Sequence, residues 1–499
     1  MLQVQRQPSL ALKHRSFGYQ IAAVEAIRNL EYAAVFHEQG LGKTKICLDL
    51  ALLWLSLDQV DSVLIVTKKG LVQNWREEIC QHTYLRPRVL DQDRKGNFYG
   101  FNSPARLYLT HYEVLRSEAK RMGLFLKTRR VAVFLDEAQK IKNPTASLTK
   151  AIFALSKGFA RRVIMTGTPV ANRPYDLWAP VYFLDHGAAL GSDFAEFRAR
   201  LDLSNDLWQD KKRAASFEEA LALVFDRLRS FSVRETKETA GIALPDKQLR
   251  NILIELESRQ AEIYAQYRND LAAVVVREGR PLLDNAEEIL KRLLRLVQVA
   301  SHPLLVDDAY HAIPAKFPVL EQLVAQATDA GDKIIVWTAF TDNVDWLAKA
   351  LRDFGTTRVS GKRSIAERNA AIHSFKHDSE CKVLIATPGA AKEGLTLTVA
   401  NHAVFYDRSF SLDDYLQAQD RIHRISQKKD CYITNLVAVS TVDEWVDVLL
   451  AAKSLAAKLA QGDITKQEYQ ESISYDFGAM IREVLGLEEK NYAHKQKDQ

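Results

Sequence analysis

Short apolar runs recur along this chain between longer stretches with helical periodicity. Runs rich in Val and Ile have the length and composition of buried parallel strands; they occupy residues 63–66, 131–135, 162–165, 333–337, 383–386 and 403–406. Each run is followed by polar residues or glycine and then by a helical pattern. This alternation is typical of α/β domains, in which ligands bind at the carboxyl ends of the strands. Because the runs fall into two groups, the sequence predicts two α/β domains.

The region between the two groups has a different pattern. From about residue 185 to residue 316 the chain contains long amphipathic segments and no convincing strand. The clearest of these helical segments are residues 217–229, 259–276 and 286–299. The pattern is helical again after Thr441. We therefore predict a first lobe, a helical insertion, a second lobe and a helical tail, over residues 1–185, 186–315, 316–455 and 456–499.

Composition narrows the class of protein. The 499 residues are 47% hydrophobic, which suits roughly three globular domains. A net charge of +5 permits nucleic-acid binding without demonstrating it. The four cysteines are scattered without a CxxC pair, which argues against zinc and disulfides and favours a cytoplasmic setting. No apolar stretch reaches the roughly eighteen residues of a membrane span, so we expect no membrane contact.

The sequence HEQGLGKT, residues 37–44, is typical of a phosphate-binding loop. In such a loop, glycines let backbone N–H groups approach the phosphates, a lysine reaches the outer phosphates and a threonine hydroxyl holds Mg²⁺. The residues with these roles are Gly40, Leu41, Gly42, Lys43 and Thr44. A strand pattern at 32–36 and a helical pattern at 45–56 flank the loop, so ATP with Mg²⁺ is the expected ligand. The alternative is a glycine-containing turn into an ordinary helix.

Two adjacent carboxylates, Asp136 and Glu137, follow the apolar run VAVFL. Both therefore emerge at the end of a buried strand, where a magnesium site belongs in such a fold. We expect Asp136 to hold Mg²⁺, mostly through water, and Glu137 to polarise the attacking water. An acidic cap on the following helix is the alternative. The phosphate loop elsewhere in the chain favours the metal and general-base roles.

Five motifs in a fixed order carry a resemblance to a known family. They are HEQGLGKT, DEAQKIKN from Asp136, TGTPVANRPYDLWA from Thr166, LVQVASHPLL from Leu296 and QAQDRIHRISQ from Gln417. In order, spacing and wording, the chain resembles the Swi/Snf-type ATPases of helicase superfamily 2 over residues 15–429. The resemblance implies an α/β fold of two RecA-like, doubly wound parallel-sheet lobes with an inserted helical region. It also implies ATP hydrolysis coupled to movement along double-stranded DNA, usually without strand separation.

The same resemblance implies roles for further residues of the first lobe. It assigns Gln20, in the phrase GYQ, to the adenine ring. Thr166 and Thr168 are expected to couple the nucleotide state to DNA binding, although hydroxyl bonds within an ordinary turn are the alternative. Gln139 stands where the family's DEAH motif ends in histidine, and His37 and Gln39 replace the usual Asp and Met. Because glutamine still donates and accepts hydrogen bonds, we expect the coupling between nucleotide state and DNA binding to be altered in strength and not abolished.

Three residues of the last motif are expected to complete the ATP site from the second lobe. They are Gln417, Arg421 and Arg424, and the arginines would stabilise charge on the transferred phosphate. Their spacing of four and three residues would let all three share one face of a helix. A solvated basic helix face is the alternative, and only the surrounding motif argues against it.

Three segments match the positions at which the family contacts DNA backbone. They are TKKG, THY and TPGAAKEGLTLT, and the expected contact residues are Lys68, Lys69, Thr110, His111, Tyr112, Thr387, Lys392 and Gly394. Contacts of this kind are made to phosphate and are independent of base sequence. Ordinary surface lysine is an equally good reading for each of the lysines.

The sequence therefore predicts a double-stranded-DNA translocase that uses ATP to remodel protein–DNA complexes or DNA structures. Two alternatives stay open: a strand-separating helicase or single-strand translocase, and an ATP-gated clamp that binds DNA without movement. No additional recognition module flanks the motifs, so a minimal bacterial or viral motor is favoured. A monomer is the expected state, and a protein partner is a possible source of specificity.

Overall fold

The structure is a computed structural model that describes residues 9–91, 93–170, 172–201, 211–277, 286–391 and 396–472. Lys392, Gly394 and the tail beyond residue 472 lie outside these ranges. The described residues form two compact units. Of the described residues, those within 1–201, 219–243 and 457–464 belong to the first unit, and those within 202–218, 244–456 and 465–499 belong to the second. No helix in the described ranges combines the length and apolar character that crossing a bilayer requires.

The first unit contains a parallel sheet of seven strands within the described residues. In chain order the strands are β1 (Tyr32–Val35), β2 (Ser62–Thr67), β3 (Arg88–Leu90), β4 (Leu107–His111), β5 (Val131–Asp136), β6 (Arg161–Met165) and β7 (Ser232–Val233). Their order in the sheet is β3-β4-β2-β5-β6-β1-β7, and all pairs are parallel. Strand β2 is buried along its whole length and β5 up to its last residue, as expected for central strands covered on both faces.

Helices alternate with these strands and cover the sheet. Up to residue 201 they are α1 (Gly18–Ile27), α2 (Lys43–Ser56), α3 (Val72–His82), α4 (Arg94–Phe101), α5 (Tyr112–Ser117), α6 (Ala119–Thr128), α7 (Ser147–Ser156), α8 (Trp178–Asp185) and α9 (Phe194–Leu201). Helix α2 is apolar around most of its circumference because it lies in the core. Its Trp54 ring packs 5.6 Å from the Phe134 ring of β5, which ties the helix after the phosphate loop to the strand that ends at Asp136.

The second unit contains a parallel sheet of six strands within the described residues. The strands are β8 (Lys247–Ile254), β9 (Ile334–Trp337), β10 (Thr356–Val359), β11 (Val383–Ala386), β12 (His402–Phe405) and β13 (Cys431–Ala438). Their order is β10-β11-β9-β12-β13-β8. The remaining helices are α10 (Lys211–Leu228), α11 (Ser258–Arg277), α12 (Ala286–Ser301), α13 (Lys316–Asp329), α14 (Thr341–Ala350), α15 (Ile365–His377), α16 (Leu412–Gln419), α17 (Val442–Ala460) and α18 (Lys466–Ser472). Two α/β units with parallel sheets confirm the predicted fold class.

Two strands interrupt the block that was predicted to contain helices alone. Strand β7 pairs with β1, and β8 pairs with β13 along all of its eight residues. Strand β8 lies at the edge of its sheet, and its Leu249 and Leu253 are 53% and 65% exposed. An edge strand with an exposed face lacks the continuous apolar run of a buried strand, so the apolar pattern did not reveal it. The helical segments of the block are confirmed as α10, α11 and α12.

Candidate functional site

The predicted phosphate loop lies between the end of β1 and the start of α2. Gly40 and Gly42 have φ angles of 89° and 69°, the left-handed region that favours glycine. A Cβ atom on Gly42 would lie 2.4 Å from Nε2 of Gln20, and the positive φ of Gly42 would strain any other residue there. The loop therefore presents bare backbone at the N-terminus of α2, where unpaired N–H groups and the helix dipole favour an anion.

The Lys43 side chain lies along the backbone of this loop. Its Nζ donates to the carbonyl oxygens of His37 and Glu38, at 3.0 and 3.3 Å. Thr44 is half-buried at the second position of α2. An ammonium group and a helix N-terminus thus reinforce each other at one place, as phosphate binding requires.

Gln20 contacts the phosphate loop directly. Its Nε2 donates to the carbonyl oxygen of Leu41 at 3.3 Å, and its Oε1 accepts from the backbone N–H of Phe17 at 3.0 Å. The side chain is buried. The contact places Gln20 beside the loop, and the assignment of Gln20 to the adenine ring stays a prediction.

His37 is buried at the start of the loop. Burial, and next the charge of Lys43, lower the pKa of His37 to about 4. The imidazole is therefore neutral at pH 7, and Lys43 supplies the positive charge of this part of the loop.

The carboxylate of Asp136 lies at the carboxyl end of β5, as predicted. Its Oδ2 accepts hydrogen bonds from Thr67 Oγ1 at 2.9 Å and from Trp75 Nε1 at 2.8 Å. Burial, and next the charge of Glu137, raise the pKa of Asp136, while the two hydrogen bonds and the charge of Lys43 oppose the shift. A bound cation would favour the ionised form of this carboxyl strongly.

Glu137 adopts a left-handed backbone conformation with a φ of 52°. Such a conformation is uncommon for a residue with a side chain and is concentrated at functional sites. Gln139 donates a hydrogen bond to the Glu137 carboxylate, and Lys68 Nζ lies 3.6 Å from Glu137 Oε2. The structure thus brings together Glu137, expected to polarise water, Gln139, expected to couple the nucleotide state to DNA binding, and Lys68, expected to contact DNA.

The turn that contains Thr166 and Thr168 lies against the phosphate loop. A Cβ atom on Gly167 would lie 2.8 Å from Gln39 Cγ and 3.0 Å from Lys43 Nζ, so a larger residue would force these two side chains to move. The N–H of Thr168 donates to Thr166 Oγ1 at 3.2 Å, which is an ordinary hydroxyl bond within a turn. The two readings are compatible, because the turn bond shapes a segment that lies next to Lys43.

The expected DNA contacts of the first unit occupy very different positions. Lys69 is exposed and Lys68 is half-buried. Thr110 and Tyr112 are fully buried, and their hydroxyls donate to the carbonyl oxygens of Leu90 and Asp136, at 2.6 and 2.7 Å. The prediction that these two side chains contact DNA therefore needs correction, because their hydroxyls are hydrogen-bonded to backbone carbonyl groups inside the protein.

His111 and Thr387 are also buried. The Nδ1 of His111 lies 2.9 Å from Glu113 Oε2. Thr387 Oγ1 accepts from the N–H of Ala390 at 3.4 Å, so it shapes the start of its own loop. Within the described chain, the exposed Lys69 and the half-buried Lys68 are the predicted DNA-contact side chains best placed to reach a phosphate.

The last motif does not form one helix face. Helix α16 ends at Gln419, and Arg421 and Arg424 lie in the turns that follow. The prediction of a shared helical face is wrong because the helix stops before either arginine. Gln417 donates to Asp413 Oδ1 at 2.7 Å, and Arg421 is buried. Arg424 donates to the Asp420 carbonyl oxygen at 2.9 Å and to Thr396 Oγ1 at 3.0 Å.

Sequence reasoning missed a buried polar cluster in the second unit. Asp407 accepts at Oδ2 from Ser301 Oγ, Thr338 Oγ1 and Asn343 Nδ2, at 2.6, 2.7 and 3.2 Å. Its Oδ1 accepts from the N–H of Ala339 at 2.6 Å. Ser301 belongs to the motif LVQVASHPLL, so this motif holds the end of α12 against the sheet. The signal that could have found Asp407 is an Asp directly after an apolar run, the pattern used for Asp136.

His302 follows Ser301 and extends this cluster. Its Nδ1 lies 3.3 Å from Asn343 Oδ1, and its ring lies 4.4 Å from the Trp346 ring. Burial lowers the pKa of His302 to about 4.

The residues present fit a nucleotide with magnesium in the first unit. Gly42 has the positive φ angle of a phosphate-binding loop, and a Cβ atom on Gly167 would crowd Lys43 Nζ at 3.0 Å. Among the described residues, no three His, Cys, Asp or Glu side chains are close enough to hold a metal by themselves. A magnesium site needs only one or two protein carboxylates, since water and phosphate supply the other ligands. Asp136 meets that requirement.

Comparisons with known proteins agree with this arrangement. Residues 19–305 match the SNF2-related domain, and residues 315–426 match the helicase conserved C-terminal domain. An uncharacterized ATP-dependent helicase of Mycoplasma pneumoniae is 28% identical over 472 residues, which cover 91% of this chain and 43% of that protein. A DNA repair and recombination protein, RAD54-like, of Danio rerio is 25% identical and covers 91% of this chain and 66% of that protein.

A solved structure is also similar to the chain. The SWI2/SNF2 ATPase core of Sulfolobus solfataricus, in complex with double-stranded DNA, is 25% identical with a TM-score of 0.41, and covers 96% of this chain and 98% of that one. The chain spans less than half the length of the mycoplasma relative, at 43%.

Proposed function

Because the chain belongs to the SNF2-related ATPases of helicase superfamily 2, we propose that it is a DNA-dependent ATPase that moves along double-stranded DNA. The movement would remodel protein–DNA complexes or DNA structures. One observation carries the proposal: in the first unit, Lys43 lies on the phosphate loop while its charge also acts on Asp136, the carboxylate beside Glu137. This proximity supports the proposal that residues holding phosphate and metal and activating water act together in this unit.

Each group of this cluster has a distinct task in the proposed reaction. The backbone of Gly40, Leu41 and Gly42, together with Lys43, would hold the phosphates. Thr44 and Asp136 would hold Mg²⁺, which neutralises charge on the phosphate oxygens when it is bound. Glu137 would accept hydrogen bonds from the attacking water and orient it. The hydrogen bond from Gln139 holds the Glu137 carboxylate for that task.

We also propose that Gln417, Arg421 and Arg424 of the second unit act in ATP hydrolysis. Guanidinium groups stabilise the charge that spreads over the transferred phosphoryl group. Arg424 is held by Asp420 and Thr396, so its position is defined before any substrate binds.

DNA as the activator is supported by the Danio rerio relative, whose name is that of a DNA repair and recombination protein. It is also supported by the lysine beside the catalytic carboxylates, because Lys68 lies 3.6 Å from Glu137 Oε2. A phosphate that competes for Lys68 would release Glu137 from this ion pair, which gives DNA a direct way to raise turnover. A non-specific contact of this kind is made to the DNA backbone. The net charge of +5 is compatible with such a surface.

The test compares ATP hydrolysis with duplex DNA, single-stranded DNA, RNA and no nucleic acid. We expect duplex DNA to stimulate most, and the protein to displace the third strand of a DNA triplex without unwinding a duplex. Preferential stimulation by single strands, with unwinding, would identify a strand-separating helicase. Stimulated hydrolysis without triplex displacement would identify an ATP-gated clamp.

Variants of the arginines test the second unit's part. We expect Arg424→Ala to lower kcat by about 10³-fold while ATP binding changes little, as for arginine fingers elsewhere. Arg352→Ala is the matched control, because Arg352 is exposed and its guanidinium pairs with the neighbouring Asp353. Equal turnover of the two variants would remove Arg424 from the proposed reaction.

A further inference from the structure

The backbone before the phosphate loop is bound to a segment from much later in the chain. Strand pairing between β1 and β7 continues beyond both strands. The N–H groups of Phe36 and Glu38 donate to the carbonyl oxygens of Val233 and Glu235, each at 2.8 Å. The first residues of the loop are therefore held by residues 233–235 as if they were still part of the sheet.

Arg234, in the middle of that segment, binds the loop with its side chain as well. One guanidinium nitrogen donates to the carbonyl oxygen of Phe36 at 3.0 Å. Another edge of the same guanidinium donates two hydrogen bonds to the carboxylate of Asp463, with Nε at 2.8 Å from Oδ1. The Arg234 side chain is 13% exposed. A planar fork bound on both sides in this way has little freedom to move.

Asp463 is placed by the way helix α17 ends. The N–H of Gly462 donates to the Leu459 carbonyl oxygen and the N–H of Asp463 donates to that of Lys458, at 3.1 and 2.9 Å. This pair of bonds is the Schellman motif, with Gly462 at the left-handed position and a φ of 73°. A Cβ atom on Gly462 would lie 2.7 Å from the Phe225 ring. The turn therefore requires glycine, and it directs the next residue, Asp463, toward Arg234.

A second contact between the two segments involves the side chain of Glu38, which lies just after Phe36 and His37. The N–H of Lys237 donates to Glu38 Oε2 at 2.8 Å, and its Nζ lies 3.3 Å from Glu38 Oε1. Lys43 in turn donates to the carbonyl oxygens of His37 and Glu38. Arg234 thus binds the backbone of Phe36, and Lys237 binds the side chain of Glu38, directly beside the two carbonyl groups that Lys43 contacts.

We propose that Arg234 and Asp463 are positioning residues for the phosphate loop, an inference that rests on the proposed ATPase function. Asp463 fixes the guanidinium of Arg234, Arg234 fixes the Phe36 carbonyl, and the fixed backbone sets the position of Lys43. Neither residue needs to contact the nucleotide. Without the Asp463 charge, the loop samples other conformations, so nucleotide binding and turnover both weaken.

The chain supplies a matched control for this arrangement. Arg130 binds Asp61 through Nε and a terminal nitrogen, at 3.2 and 2.7 Å, and its backbone N–H donates to the same carboxylate. Asp61 and Arg130 directly precede β2 and β5, so they lie at the amino ends of the sheet, away from the phosphate loop. Asp61→Asn removes the same kind of carboxylate from the same unit.

The experiment compares Asp463→Asn, Asp463→Glu and Asp61→Asn with the full-length wild type. The first readout is amide hydrogen exchange in a peptide that covers residues 34–45. The second is the affinity for an ATP analogue with Mg²⁺, and the third is kcat and KM for ATP. Melting temperature is recorded for every variant, so that a general loss of stability is recognised.

We expect Asp463→Asn to speed exchange in that peptide and to lower kcat/KM about 10-fold, the order of one charge-assisted hydrogen bond. Asp463→Glu should recover most of both losses, and Asp61→Asn should match the wild type in both. Arg234→Lys keeps the positive charge and loses the paired N–H donors of the guanidinium. If those paired donors position the loop, this variant should resemble Asp463→Asn.

Loop exchange and kinetics of Asp463→Asn equal to those of Asp61→Asn would overturn the inference. So would a variant that melts earlier while the exchange increase is spread evenly over the first unit. A wild type that hydrolyses no ATP would instead overturn the proposed function, and the exchange comparison would still decide the role of Asp463.

Discussion

Asp136 and Asp407 occupy equivalent positions in the sheets of their two units. Each lies at the end of a buried parallel strand, β5 or β12, and burial raises the pKa of each. Each also accepts a hydrogen bond at Oδ2 from a threonine at the end of a neighbouring strand. Thr67 is the last residue of β2 and lies 2.9 Å from Asp136, and Thr338 follows β9 and lies 2.7 Å from Asp407.

The two carboxylates differ in how many protein donors surround them. Within the described residues, the hydrogen bonds to the Asp136 carboxylate all reach Oδ2, from Thr67 and Trp75. Both oxygens of Asp407 accept, and the residue after it is Arg408, which pairs with Asp447. The residue after Asp136 is Glu137, a second carboxylate. We therefore propose that the same strand-end position gives a metal-holding site where protein donors are few and a structural cluster where they are many.

Replacing the carboxylate of the first unit should have the largest effect on activity. We expect Asp136→Asn to lower kcat by about 10³-fold, because the loss of a metal-holding charge costs roughly 4 kcal/mol of barrier. The melting temperature should stay level or rise, since burial disfavours the charge that the variant removes. Turnover assays and thermal melting check both parts, and a variant that unfolds instead would make Asp136 a structural residue like Asp407.

Replacing the carboxylate of the second unit should have the largest effect on stability. We expect Asp407→Ala to lower the free energy of unfolding by about 3–4 kcal/mol, because buried donors from Ser301, Thr338 and Ala339 lose their acceptor. Urea denaturation, followed by the fluorescence of the second unit's tryptophans, measures the change. A loss below about 1 kcal/mol would show that water replaces the carboxylate as acceptor and that the cluster is accessible to solvent.

Each unit also contains a histidine that burial keeps neutral, His37 in the first and His302 in the second. The pKa of each is lowered to about 4 from an ordinary value of 6.5. Between these two values the unfolded chain binds a proton that the folded chain does not, so stability falls as the pH drops from 6.5 to 4. Each histidine contributes about 3 kcal/mol to that loss at its lower end.

The variant His302→Asn should therefore flatten the pH dependence of unfolding over that window without changing it above pH 7. His37→Asn should do the same for the first unit. Denaturation at a series of pH values measures both slopes. An unchanged slope in either variant would show that the replaced imidazole is charged in the folded protein.

The smallest expected effects come from the paired threonines. Thr67→Val and Thr338→Val each remove one hydroxyl donor, at a cost of about 1 kcal/mol. Thr67→Val should also weaken magnesium-dependent turnover, because Asp136 loses a bond that favours its ionised form. Thr338→Val should change unfolding alone. Equal effects of the two variants on turnover would show that Asp136 and Asp407 do not differ in their part in catalysis.

Residues that act through local sequence could be predicted, and residues that act through distant partners could not. The strand–loop–helix around residues 37–44 and the place of Asp136 at a strand end follow from local pattern, and the roles of these residues toward ATP stay predictions. The hydrogen bonds of the Thr110 and Tyr112 hydroxyls depend on the carbonyl groups of Leu90 and Asp136, which only the assembled sheet brings near. The end of α16 before Arg421 was missed because residue spacing shows which positions could share a helix face and does not show where the helix stops.

Arg234 and Asp463 illustrate the same limit most clearly. They are 229 positions apart, and neither lies in a motif that carried the family resemblance. A lone Arg directly after a two-residue strand and a lone Asp after a glycine have no local signature. Their partnership is visible only once the sheet and the end of α17 are in place.

The short strand β7 has a consequence for anyone who divides this gene into pieces. Strand β1, which leads into the phosphate loop, gains its outer neighbour only when Ser232 and Val233 are present. Until residues 232–233 have been synthesised, β1 is an edge strand whose unpaired backbone groups can pair with another chain. A fragment that stops at residue 201 would keep that border permanently, so we expect it to self-associate, whereas one that also includes residues 219–243 would not.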